Sequence, residues 1–186
     1  NIKITRGGMD GKNVPYSGMV EPGVGYISLT TFTRDAGRNV ADALRDLKTG
    51  SSDLKGVILD LRGNGGGLLR EAINVCNVFI PAEETVVTTR SKVVESDQEY
   101  KTRNEPVDTG IELVILIDEN SASASEIVSG VMQDLDRGVI IGQLSYGKGL
   151  VQNTFDIGYN AKVKLTTSKY YIPSGRCIQS VEYKNG

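Results

Sequence analysis

The sequence predicts an α/β domain, and three observations carry that expectation. Two continuous apolar runs, "GVILDLR" at 56–62 and "IELVILID" at 111–118, have the composition of strands buried on both faces of a parallel sheet. Each is followed by a glycine- or serine-rich turn and then by apolar residues at helical spacing. The order strand, helix, strand recurs through the centre of the chain, as in a sheet covered by helices. At 186 residues the chain has the size of one domain and can bury a sizeable core. A net charge of −2 and a 39% hydrophobic content leave no basic stripe, which argues against nucleic acid or an anionic membrane as a partner.

Taken in order, the first twenty-odd residues, with "RGGMDGK" and "EPGVG", read as a short β element and a linker, so the chain divides into 1–24 and a compact core, 25–186. "GYISLTTF" reads as a strand, and 34–48 as a helix with Val40, Leu44 and Leu47 on one face. After "GVILDLR" and its glycines, 68–79 is a second amphipathic helix. "TVVTTR" is a strand, and the polar stretch 92–109 is a surface hairpin or loop. "IELVILID" then leads into a helix at 121–135 and the strand "GVIIGQ". The tail, with "LVQNTFDI", "AKVKLTTSKYY" and the turn "IPSGR", is β-rich. Cys76 and Cys177 lie far apart without ligand spacing and make neither a disulfide framework nor a zinc site by themselves. No signal peptide or 18-residue apolar run occurs, and an opening at Asn1 rather than methionine carries the expectation that an N-terminal segment has been removed.

The stretch "DENSASASEI" places Ser121, Ser123 and Ser125 at alternate positions before a helix. A serine there is most often a cap that accepts a hydrogen bond from an unpaired backbone N–H. Ser123 also stands three residues before Glu126, a capping-box spacing. On the helix, Ala124, Ile127, Val128, Val131 and Leu135 form an apolar stripe bordered by Ser123 and Ser125. A first-turn serine also has a catalytic advantage, because unpaired N–H groups and the positive end of the macrodipole lie beside any oxyanion formed there. On the residues alone, capping and catalysis both stand.

The chain contains no histidine, so a Ser-His-Asp triad cannot form within it and lysine is the remaining well-known base. An ordinary lysine, with a pKa of about 10.4, is neutral in only about one part in 2,500 at pH 7, whereas burial that lowers it to about 8 leaves roughly a tenth neutral. Lys12, Lys48, Lys55, Lys92, Lys101 and Lys184 sit in polar, turn-like or helix-end contexts that read as solvated surface. Lys148, in "SYGKGLVQ", follows the apolar "VIIG" and is flanked by Gly147 and Gly149, a setting in which a long side chain can be drawn inward. An exposed glycine-rich hairpin is the alternative. The remaining element, "DLRGNGGGLL", runs Gly65, Gly66 and Gly67 in succession, which lets backbone N–H groups approach an anion unobstructed. A flexible strand-to-helix turn is its plain alternative.

Together these elements resemble the carboxy-terminal processing proteases, or tail-specific proteases, which are serine peptidases with a Ser/Lys dyad. The resemblance runs in the family's order from "GYISLTTF" through "GVILDLRGNGGGLL", "NSASASEIVSGVMQD" and "IIGQLSYGKGLVQ" to "KLTTSKYYIPSGRCIQ". It implies Ser123 as nucleophile and Lys148, 25 positions later (148 − 123 = 25), as general base. It further implies Gln152 as the residue orienting the base, and an oxyanion hole from the N–H groups of Ala124 and Gly67, with Gly66 as the fallback. The implied fold is a spiral of β-β-α units like that of crotonase and ClpP-type enzymes, with a β-rich C-terminal tail. The implied activity is endoproteolysis of proteins or peptides with free C-termini, without metal or organic cofactor, in the cell envelope as a periplasmic or membrane-associated protein. A homo-oligomer is a candidate assembly. Family members carry a PDZ domain ahead of this core; only "IKITRGG" and the linker resemble its exit, so 1–24 is read as its remnant and the chain as a core truncated at both ends.

Two rival readings have specific tests. "GQLSYGKG" at 142–149 satisfies G-x-x-x-x-G-K, but Gly149 stands where a P-loop has Ser or Thr, and "LVQNTFDI" lacks the helical period that should follow. "RGNGGG" misses the dinucleotide fingerprint because Leu68 takes the place of the third glycine. The other rival is a non-catalytic ligand-binding module on the same scaffold, against which the joint presence of serine, lysine and glutamine argues.

Overall fold

The computed structural model describes residues 11–92 and 94–181. Among them the chain runs through β1 (Tyr16–Glu21), β2 (Val24–Ser28), α1 (Ala36–Gly50), β3 (Gly56–Asp60), α2 (Leu69–Phe79) and β4 (Thr85–Ser91). It continues through β5 (Gln98–Lys101), β6 (Glu112–Ile117), α3 (Ala124–Asp134), β7 (Val139–Gly142), β8 (Leu150–Gly158) and β9 (Ala161–Tyr171). The mixed α/β architecture expected from the sequence is present. No described helix is long and apolar enough to cross a membrane.

The strands form two sheets. The first has the order β1-β2-β3-β6-β7, with β2, β3, β6 and β7 parallel and β1 antiparallel at one edge. Parallel neighbours require crossovers, which α1, α2 and α3 supply as they pack side by side, α1 on α2 and α2 on α3. Val57, Leu59, Leu113 and Ile115 alternate along β3 and β6 and are buried with Val40, Leu44, Val75, Val128 and Val131 of the helices. The alternate residues Ile58, Val114 and Leu116 are only half-buried, so these strands are fully covered on one face rather than both. Because the helices occupy a single face of the period-2 pleat, the continuous apolar run overstates the burial of the other. Leu59 lies at the centre of this core with no exposed surface. Leu59→Ala is expected to lower unfolding free energy by about 2–5 kcal/mol, read from urea titration.

The second sheet, β5-β4-β9-β8, is antiparallel throughout. It contains the β5 hairpin of the polar stretch and the β-rich tail. Leu150–Gly158 is a strand, not a helix, which removes the P-loop reading of 142–149. Tyr16–Glu21 belongs to the first sheet as its edge, while "IKITRGG" lies outside the described residues.

Candidate active site

Three distant motifs meet because three parallel strands end together. The strand pairs Asp60↔Leu116 and Ile117↔Gly142 place the C-terminal ends of β3, β6 and β7 at one edge of the sheet, where ligand sites of open α/β sheets form. From these ends emerge the glycine loop 61–68, the serine turn 118–123 and the lysine loop 143–149.

The structure separates the three serines. Ser121 is buried, with its hydroxyl donating to the Leu61 carbonyl at 2.8 Å and accepting from the Asp118 N–H at 2.9 Å. Ser125 is buried and donates to the Asn64 carbonyl at 2.8 Å. Both are ties between the serine turn and the glycine loop. Ser123 alone of the three is half-exposed, and it is the N-cap of α3 at φ 55°, ψ −110°. A positive φ at a serine costs on the order of 1–3 kcal/mol and persists only where the surroundings enforce it. The capping-box expectation holds as well, with the Ser123 N–H donating to the Glu126 carboxylate at 2.7 Å. Ala124, Ile127, Val128 and Val131 are buried as the stripe requires, whereas Leu135 is 36% exposed because the helix has ended at Asp134.

The glycine loop lies against this turn. Asn64, with 0% exposure, is its hub: its side-chain amide donates to the Leu29 carbonyl, its Oδ1 accepts from the Gly66 N–H, and its carbonyl accepts from the Ala122 N–H at 3.0 Å. Gly66, at φ 94°, touches the turn so closely that a Cβ there would stand 2.6 Å from the Ala122 carbonyl and 2.9 Å from the Ala124 nitrogen. Gly67 follows at φ 154°, held by Phe32, which donates to the Gly66 carbonyl and accepts from the Leu68 N–H. Among the described residues, the N–H groups of Gly67 and Ala124 have no hydrogen-bond acceptor, whereas that of Gly66 is occupied.

Glu126 joins the serine turn to the lysine loop. It is 4% exposed, and its two oxygens accept from four donors: Ser123 N–H, Lys148 N–H at 2.8 Å, Gly147 N–H at 2.5 Å and the Ser145 hydroxyl at 2.8 Å. The backbones of Ser123 and Lys148 therefore share one carboxylate. The Lys148 side chain itself is exposed rather than drawn inward, and Gln152 on β8 is exposed too. Among the described residues neither side chain has a hydrogen-bond partner, so the lysine amine is not joined to Ser123. The flanking glycines present no side chains to cover a four-carbon stem, and the loop stands at the rim of the sheet.

Sequence reasoning took Glu126 as a cap only and passed over Asn64 and Asp118. Asp118 accepts from the Gly63 and Asn120 N–H groups, fastening the glycine loop to the serine turn from the other side. An Asn amid glycines and an Asp at a strand end are the signals that mark such loop ties. The Gly63 N–H holds the Asp118 carboxyl below its ordinary range, with Asn120 and Ser121 adding to it against partial burial. At Asp60, burial pushes the pKa up, but Arg62 and the Tyr26 hydroxyl outweigh it and hold this carboxyl low as well. Both carboxyls are thus more acidic folded than unfolded. Their stabilisation is complete above the unfolded value of about 3.9 and is lost as pH falls through the lower folded values. The urea midpoint is expected to fall from about pH 4 downward, less steeply in Asp118→Asn than in the parent.

The sequence model of Peptidase family S41 matches residues 23–184. A carboxy-terminal-processing protease of Bartonella bacilliformis is 39% identical over 183 residues, 97% of this chain and 42% of that protein. A carboxyl-terminal-processing protease of Synechocystis sp. is 40% identical over 158 residues, 85% of this chain and 36% of that protein. In structure, the photosystem II D1 C-terminal processing protease superposes with a TM-score of 0.75 at 31% identity, over 84% of this chain and 39% of that one. The chain thus spans about two fifths of the length of the curated relatives it matches.

Proposed function

The chain belongs to Peptidase family S41, and on that premise we propose that it is the catalytic core of a serine endopeptidase that cuts proteins near their C-termini through a Ser123/Lys148 dyad. The observation that carries this reading is the sorting of the serine trio. Two hydroxyls are consumed as buried ties, and the third sits on a strained helix N-cap packed against Gly66, next to Ala124, whose N–H has no acceptor among the described residues. In the reaction, the neutral Lys148 amine takes the Ser123 proton as the oxygen attacks the peptide carbonyl. The N–H groups of Ala124 and Gly67 receive the oxyanion, while Gly66 supplies close packing. The amine then protonates the leaving nitrogen, and the same lysine activates the water that hydrolyses the acyl-enzyme. Gln152 orients the amine.

The finer features follow the same resemblance: a spiral of β-β-α units of the crotonase/ClpP type, substrates with free C-termini, and a place in the cell envelope. A fluorophosphonate probe tests the reading. It is expected to label the chain at Ser123 and to fail on Ser123→Ala; an unlabelled parent chain supports the non-catalytic binding module instead. Gly66→Ala, which forces a Cβ against the serine turn, is expected to lower kcat/KM by about 10²–10³-fold in a peptide hydrolysis assay.

A further inference from the structure

One face of the four-stranded sheet carries a groove of about 970 Å³ that crosses all four strands. Its charged lining is one-sided. Arg90, Lys92 and Lys169 line it, and no Asp or Glu side chain does so among the described residues, in a chain with 23 acidic and 21 basic residues. Two carboxylates of the β5 hairpin lie close by without lining it: Asp97 accepts from the N–H of Ser91 at the groove's rim at 2.7 Å, and Glu99 from the Thr85 hydroxyl at 2.6 Å. Arg90 is held in place with its guanidinium 4.7 Å over the Tyr171 ring. Leu150 and Phe155 add apolar surface, and Leu150 stands two residues after Lys148, so the groove starts beside the lysine loop.

We propose that this groove binds an extended, acidic segment of the polypeptide substrate and leads it to Ser123, an inference that rests on the peptidase reading above. The charge asymmetry selects carboxylates, and the apolar lining receives the side chains between them. An extended polypeptide is favoured because the groove crosses all four strands and mixes basic with apolar lining. Exposed ion pairs are individually weak, so the groove acts on substrate choice rather than on the chemical step.

The test uses the Ser123→Ala form of the chain and two fluorescein-labelled peptides that alternate Glu with Val or Gln with Val, read by anisotropy at low salt. The Glu peptide is expected to bind about fivefold more tightly, and the preference is expected to vanish in the Lys92→Ala/Lys169→Ala double variant and to shrink in Arg90→Gln. In the active chain, the double variant is expected to raise KM for the Glu peptide more than for the Gln peptide. Equal affinities for the two peptides overturn the proposal, as does a preference that survives the double variant. Displacement of the Glu peptide by a single-stranded oligonucleotide of equal charge at equal affinity also overturns it. A Glu preference without any hydrolysis by the active chain removes the peptidase reading and keeps the groove; hydrolysis with equal binding removes the groove and keeps the peptidase.

Discussion

Lys148→Met is expected to lower kcat/KM for peptide hydrolysis at pH 7 by about 10⁴-fold or more, while shifting the melting temperature by less than about 2 °C. The two halves of that expectation have one source. The Lys148 side chain is exposed and has no hydrogen-bond partner among the described residues, so the fold loses nothing when the amine is removed. Its backbone N–H, which Glu126 holds, is untouched by the substitution. The chain has no histidine, and the carboxylate beside Ser123, that of Glu126, already accepts from four donors, so the amine is the base that the dyad depends on. Methionine keeps the length and flexibility of the lysine stem, which isolates the loss of the base from any change in packing. A stable protein that cleaves peptide at the parent rate would show that the lysine is surface decoration on a glycine-rich loop.

Glu126 carries the second large effect, of a different kind. Glu126→Ala leaves four buried or half-buried donors without acceptors, at an expected stability cost of about 3–5 kcal/mol. Glu126→Gln keeps the volume but turns an N–H₂ group toward two of those donors, so its cost is smaller and its activity is the more informative number. Because the carboxylate sets the Ser123 turn and the Lys148 backbone relative to each other, Glu126→Gln is expected to lower kcat/KM by about 10²-fold, mostly in kcat, as misplacement of reacting groups does. Urea titration beside initial-rate kinetics separates the two losses. A Gln variant that loses stability with its parent kcat intact would reduce Glu126 to a helix cap.

Much of the fold was legible because the buried strands and amphipathic helices are strongly periodic. The runs "GVILDLR" and "IELVILID" became β3 and β6, and the helices differ from expectation by at most three residues at either end. What periodicity could not supply was the covering of each strand face. Nor could it fix the order β3-β6-β7, which brings three loops to one edge. The site was half legible for the same reason. Spacing marks the Ser123–Glu126 cap and the resemblance picks Ser123 as nucleophile, but the physical ground for that choice is the partners of Ser121 and Ser125, which lie 60 and 61 residues away. Likewise the resemblance ranks Gly67 ahead of Gly66, and the physical ground is Asn64, whose Oδ1 occupies the Gly66 N–H. The lysine was expected inward from its apolar neighbours, yet two glycines and a rim position leave it in solvent.

The rate at which a fluorophosphonate labels Ser123 at pH 7, compared between the parent chain and Lys148→Met, bears on the dyad without requiring a natural substrate. If the lysine amine draws the proton from the serine hydroxyl, labelling slows by at least about 100-fold in the variant. Equal labelling rates in the two proteins would contradict it, leaving Ser123 activated by some other group or by none.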